Sequence, residues 1–112
     1  MNIINCYPKT MTKREQYLLT SSPAAQKMQN AKGTVLEVAA WAVYEDVDEK
    51  GMSKEVLSIM TKDGEIFGTI SPTFKEDFAR ICDFFAGEEF PPITVIEGTS
   101  KNGRNFITCT IV

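Results

Sequence analysis

The sequence contains no histidine, and its three cysteines, Cys6, Cys82 and Cys109, are odd in number, widely spaced and without a C-x-x-C pair. Those absences exclude zinc sites of the usual Cys/His kind, most disulfide frameworks and every triad that relies on an imidazole. Long apolar runs are lacking too: the longest uncharged apolar stretch, Val38 to Tyr44, falls far short of the roughly 20 residues a membrane span requires. No basic-then-apolar signal segment opens the chain, so a soluble protein without membrane attachment is expected in the cytoplasm. The phosphate-loop pattern G-x-x-x-x-G-K-[ST], the dinucleotide pattern G-x-G-x-x-G and the nucleophile elbow G-x-S-x-G do not occur. Asp46, Asp48 and Glu49 crowd into an expected turn but lack the twelve-residue spacing of a calcium loop. No enzyme, cofactor or metal site is therefore expected.

What is present is a globular composition. The 112 residues are 43% hydrophobic and 24% charged, with seven Phe, three Tyr and one Trp, which suits one domain with a real core. The net charge of -3 argues against a wholly basic polyanion binder, yet the charges are segregated. Residues 1 to 33 carry Lys9, Lys13, Arg14, Lys27 and Lys32 against Glu15 alone, whereas residues 34 to 70 are strongly acidic. Screening limits each distant charge to about 10 Å at 0.1 M salt, so a local basic patch on an acidic protein can still hold a polyanion.

Thr12-Lys13-Arg14-Glu15 has the form of a capping box, and Ser22-Pro23 has the form of a second helix start leading to Gly33. Two short helices are expected within residues 12 to 31. From Thr34 the period changes to two, with Leu36, Val38, Ala40, Ala42 and Tyr44 on one face and Glu37, Ala39, Trp41, Val43 and Glu45 on the other. A strand over 55 to 62 follows, then an Asp63-Gly64 hairpin into a strand over 65 to 71. Thr73-Phe74-Lys75-Glu76 is a further capping box, opening a helix whose Phe74, Phe78, Ile81, Cys82 and Phe85 share one face. Strands over 93 to 97 and 105 to 112, joined through Asn102-Gly103, complete the chain.

The expected class is mainly β (α+β), with residues 1–33 as an N-terminal helical extension and residues 34–112 as a barrel in one domain. Three strands, a helix between strands 3 and 4, then a closing hairpin is the order of the OB-fold, a five-stranded barrel that often binds oligonucleotides. A mixed α+β sheet with the helix on one face gives the same order.

Strict alternation places Trp41, Phe67 and Phe106 on the polar strand faces. Exposed rings in that layout stack on bases, each worth about 1 to 3 kcal/mol regardless of sequence. The same rings also fit a second small core under the N-terminal helices, and both readings stand. Lys101 and Arg104 flank the tight turn that leads to Phe106, where they can grip phosphate beside a stacked base. Lys54 and Lys62 sit at the two ends of one strand, and Lys9, Lys13 and Arg14 form a secondary basic set. Cys82 and Cys109 read as small core residues.

Four stretches carry a resemblance: TKREQYLLTSSPAAQKM at 12 to 28, V-x-x-W-x-x-Y-E-D at 38 to 46, LSIMTKDGEIFGTISPTFKEDF at 57 to 78, and IEGTSKNGRNFITCTIV at 96 to 112. Together they resemble a family of single-stranded DNA-binding proteins encoded by phages and mobile elements of Firmicutes. The resemblance implies an OB-like fold, non-specific binding of single-stranded DNA in replication or recombination, and no enzymatic activity. It brings no site residues with it. A protein-interaction module, adaptor or inhibitor, using the acids Asp46, Asp48 and Glu49 is the competing expectation. Pairing of a free strand edge between two copies would give a homo-oligomer.

Overall fold

The structure, a computed structural model, describes residues 2–112. It orders them as β1 (Asn2–Tyr7), α1 (Lys13–Ser21), β2 (Gln26–Lys27), a 3₁₀ turn (Met28–Ala31), β3 (Val35–Leu36), β4 (Val38–Val47), β5 (Ser53–Thr61), β6 (Ile66–Thr69), α2 (Pro72–Phe84), β7 (Ile93–Thr99) and β8 (Asn105–Ile111). Asp63-Gly64 closes the expected hairpin, with Gly64 at φ +87° and its amide donating to the Thr61 carbonyl at 2.9 Å. A left-handed residue here favours glycine because no Cβ collides with the backbone.

The strands form two sheets, one ordered β1-β4-β5-β6-β2 and one ordered β3-β7-β8. This corrects the expectation of a single closed five-stranded barrel. The long strand expected from Thr34 divides at Glu37: Val35 and Leu36 pair with Thr94 and Ile93 of β7, whereas Val38 pairs with Thr61 of β5. One stretch of chain thus serves both sheets, and the core lies between them under α2.

The N-terminal residues depart from the expected helical extension. The Thr12 box forms as expected, with the Glu15 amide donating to Thr12 Oγ1 and the Thr12 amide to Glu15 Oε1, both at 3.1 Å. The apolar opening residues, however, build β1 against β4, and Ser22-Pro23 makes a turn instead of a helix start. Residues 24 to 31 offer only Met28 and Ala31 for burial, too little to hold an amphipathic helix on the core. The free edge of β6 takes Gln26 and Lys27 as a parallel strand instead. The helix start expected at Thr73 also moves: Ser71 is the N-cap, its side chain accepting from the Phe74 amide at 3.3 Å, with Pro72 as the first helical residue.

Between Val38 and Ala40 the β4–β5 register slips by one, leaving Ala39 as a bulge. Side-chain parity inverts at that point. Leu36 and Val38 therefore share the main core with Trp41 and, at its margin, Val43, while Ala40 and Ala42 face Leu19 of α1. Trp41 meets Phe78 edge-to-face at 5.6 Å, and Phe78 lies 5.3 Å from Phe90 and 6.5 Å from Phe74. Cys82 and Cys109 join this core, and burial pushes their thiols up to about 11 and about 12. No helix among the described residues is long and apolar enough to cross a membrane.

Two outcomes test this packing. Phe78→Ala removes the ring that three other aromatics touch and is expected to cost about 3–5 kcal/mol in urea unfolding, with Trp41 emission shifting to the red. The raised thiols are neutral in the fold, so their contribution is fully present below the unfolded thiol range and is lost as pH rises through about 11 to 12. Urea midpoints of wild type should fall steeply over that alkaline window, and those of Cys109→Ala, lower at neutral pH, should fall less steeply.

Candidate nucleic-acid interface

The inverted parity of β4 sends Tyr44 and Asp46 to the face opposite Trp41. On that face Tyr44 pairs with Val56 and Asp46 with Lys54, while Ala42, Ser58, Gly68 and Lys27 form one row across four strands. Leu19 of α1 covers the Ala40 and Ala42 end. Beyond it the sheet is open, and a groove of about 610 Å³ lies there. Tyr44, Lys54 and Val56 belong to its lining, together with Lys27 and Gln29 on one side and Asn105 and Phe106 of β8 on the other. Its volume falls in the range of sites that hold nucleotide-sized ligands, roughly 300–1,000 Å³.

Phe106 is half-buried and stands opposite Gly98 in the β7–β8 register. A Cβ on Gly98 would come within 2.5 Å of the ring, so the phenyl group lies directly over the glycine backbone. The turn beyond it is closed by the Gly103 amide on the Ser100 carbonyl at 2.9 Å, with Gly103 at φ +78°. That tight turn holds Lys101 and Arg104 exposed in the chain just before Asn105, which lines the groove.

The cations divide into paired and unpaired. Lys32, Lys62, Lys75 and Arg80 form ion pairs with Glu97, Glu89, Glu55 and Asp77. Among the described residues Lys27 and Lys54 in the groove and Lys101 and Arg104 in the turn form none within 4.0 Å, and neither do Lys9, Lys13, Arg14 and Lys50 elsewhere. Unpaired cations around a groove are free to meet phosphate, with no protein carboxylate to displace. Burial and then the neighbouring Asp46 raise the Tyr44 phenol above its ordinary value, so it stays a neutral hydroxyl at physiological pH.

Of the residues expected to form the site, Phe106 and Lys54 line the groove, whereas Lys101 and Arg104 are exposed in the turn before Asn105 and are not among the lining residues. Trp41 and Phe67, at 8% and 4% exposure, are core residues and offer no ring to a base. For Trp41 the cause is the Ala39 bulge; for Phe67 it is that Ile66 is buried as well, so β6 has no polar face at that point. Lys62 lies about 27 Å along the extended chain from Lys54 and pairs with Glu89 at 3.8 Å, away from the groove. Lys9, Lys13 and Arg14 are exposed around the start of α1 and do not line the groove. Lys27, Gln29, Tyr44 and Asn105 were not legible as site residues: residue 27 was expected in a helix, and Tyr44 was expected on a buried face and is buried, at 8% exposure, meeting the groove with the little surface it keeps. Asp48 closes its own turn, its Oδ1 accepting from the Lys50 and Met52 amides at 2.9 Å. Among the described residues no group of three or more acidic or cysteine side chains is placed to hold a metal ion.

A family model described as phage single-stranded DNA-binding protein matches residues 18–112, from within α1 through every later element. No curated protein and no solved structure matches the chain. Matched over that span, which includes both sheets, α2 and the groove, the chain belongs to the phi29 phage single-stranded DNA-binding protein family.

Proposed function

We propose that the chain binds single-stranded DNA along the groove between the β4–β5–β6 face and β8, coating phage or mobile-element DNA during replication or recombination in the cytoplasm of a bacterial host. The observation that carries this reading is the meeting, in one groove, of a half-exposed ring, a neutral tyrosine and unpaired cations, on a chain of this family. A base stacks on Phe106 beside Tyr44, with the exposed Ile70 giving further apolar contact. Lys27, Lys54, Lys101 and Arg104 take phosphates on either side. Phosphate contacts and stacking accept any sequence, so affinity is general and strongly dependent on salt. Lys9, Lys13 and Arg14 add a screened attraction from outside the groove.

The order β4-β5-β6-α2-β7-β8 is that of an OB-fold. We read the two sheets as such a barrel left open where β6 and β8 flank the groove. The competing reading, an acidic protein-interaction surface, has less support. Its Asp48 carboxylate is occupied in the turn, and Asp46 faces a groove lined by lysines.

Anisotropy of a labelled dT oligomer at about 50 and 300 mM salt tests the proposal. Tight binding at the lower salt and weak binding at the higher are expected. Phe106→Ala should lose about 1–3 kcal/mol, and Lys54→Ala should reduce the log–log salt slope by about 0.7. Trp41 emission should change little, because the indole is packed against Phe78. Absence of binding at low salt and micromolar protein would overturn the reading.

Gly98→Ala gives a second handle on the ring. Because the clash falls on the far edge of Phe106, the phenyl group is expected to swing away at a cost of about 1 kcal/mol in stability. The dT affinity should drop nearly as far as in Phe106→Ala. An unchanged affinity would show that the ring's seat on β7 does not matter for binding.

A further inference from the structure

We propose that Asp46 gives the groove a preference for guanine, superimposed on its general affinity for single strands. The inference rests on the reading that the groove takes single-stranded DNA. Asp46 is the one acidic residue among those that line the groove, a position where a carboxylate repels every phosphate brought near it. It stands opposite Lys54 in the β4–β5 register, yet among the described residues it forms no ion pair within 4.0 Å. Its Oδ1 accepts the Val47 amide at 3.0 Å, which fixes the orientation of the carboxylate. Oδ2 accepts no protein hydrogen bond among the described residues, and Oδ1 keeps a second lone pair.

A fixed carboxylate with spare acceptor capacity, lining the same groove as the ring on which a base stacks, is placed to meet the edge of a base held there. Unstacked single-stranded bases present their Watson–Crick edges to side chains in this way. The four edges differ in what they offer an acceptor-only group. Guanine presents N1–H and the N2 amino group side by side, two parallel donors that match the two oxygens of a carboxylate. Thymine has a single N3–H between two carbonyl oxygens, which the carboxylate repels. Cytosine and adenine each place one amino group beside an acceptor ring nitrogen. Only guanine turns the Asp46 charge from an obstacle into a bidentate, charge-assisted contact.

The test compares short dT oligomers carrying one central guanine, one central hypoxanthine or thymine throughout, on wild type and on Asp46→Asn. A single guanine avoids quadruplex formation, and hypoxanthine keeps N1–H but lacks the amino group. Wild type should bind the guanine oligomer roughly 5- to 100-fold more tightly than all-dT, with hypoxanthine in between. Asp46→Asn keeps an oxygen for the Val47 amide, so it should fold normally, bind all-dT more tightly than wild type does, and lose the guanine advantage. Equal wild-type affinity for guanine and hypoxanthine oligomers would overturn the inference, without recourse to any variant. So would an Asp46→Asn protein that retains the guanine advantage. If wild type binds dT but shows no base preference, this inference alone fails; if it binds none of the oligomers at low salt, the DNA-binding reading of the groove fails and takes the preference with it.

Discussion

One extra residue in β4 decides what each face of the large sheet does. A strand alternates with a period of two, so inserting Ala39 without a partner sends every later side chain to the opposite face. Before the bulge Val38 points into the core; after it Trp41 and Val43 do, and Tyr44 and Asp46 are released to the outer face. The aromatic cluster around Phe78 and the floor of the groove follow from the same slip. Without it the indole would lie in solvent and the groove would lose its tyrosine.

That slip also marks where the sequence was legible and where it was not. The hairpin at Asp63-Gly64, the turn at Asn102-Gly103, the Thr12 capping box and the apolar stripe of α2 were all readable, because each depends on a few adjacent residues with a strong local preference. The division of the first long strand between two sheets was not, since nothing local to Glu37 announces a change of partner. Nor was the parity change, because Val38-Ala39-Ala40 alternates as well with a bulge as without one. The pair of Ser-Pro signals is instructive. Ser71-Pro72 starts a helix because Phe74 and Phe78 behind it have a core to enter. Ser22-Pro23 starts none, because the segment behind it has little to bury and an open strand edge beside it. Local propensity proposes, and burial decides.

The candidate site was half legible for related reasons. Phe106, Lys101 and Arg104 belong to a hairpin whose turn chemistry sets its register, so alternation placed the ring correctly on the outer face of β8. Lys54 was found as a strand-end cation, but its partner in sequence reasoning, Lys62, lies at the far end of β5 beside Glu89. The groove walls contributed by Lys27 and Gln29 depend on β2 pairing in parallel with β6, a long-range contact that no local pattern encodes. A net charge of -3 leaves room for polyanion binding, because Lys32, Lys62, Lys75 and Arg80 are held by carboxylates while Lys27 and Lys54 in the groove, like Lys9, Lys13, Arg14 and Lys50 outside it, form no ion pair among the described residues.

The outer edge of the Phe106 ring lies where a side chain of β7 would otherwise be, and that contact bears on entropy. A ring on an open strand face samples its rotamers and must give up that freedom each time a base settles on it. Here the bare backbone of Gly98 receives the ring and has already restricted it. In the proposed mode of binding, the ordering cost of stacking would be met largely during folding, before any nucleotide arrives. Such a surface suits the proposed coating of an arbitrary strand, since each encounter would begin with the platform already in place.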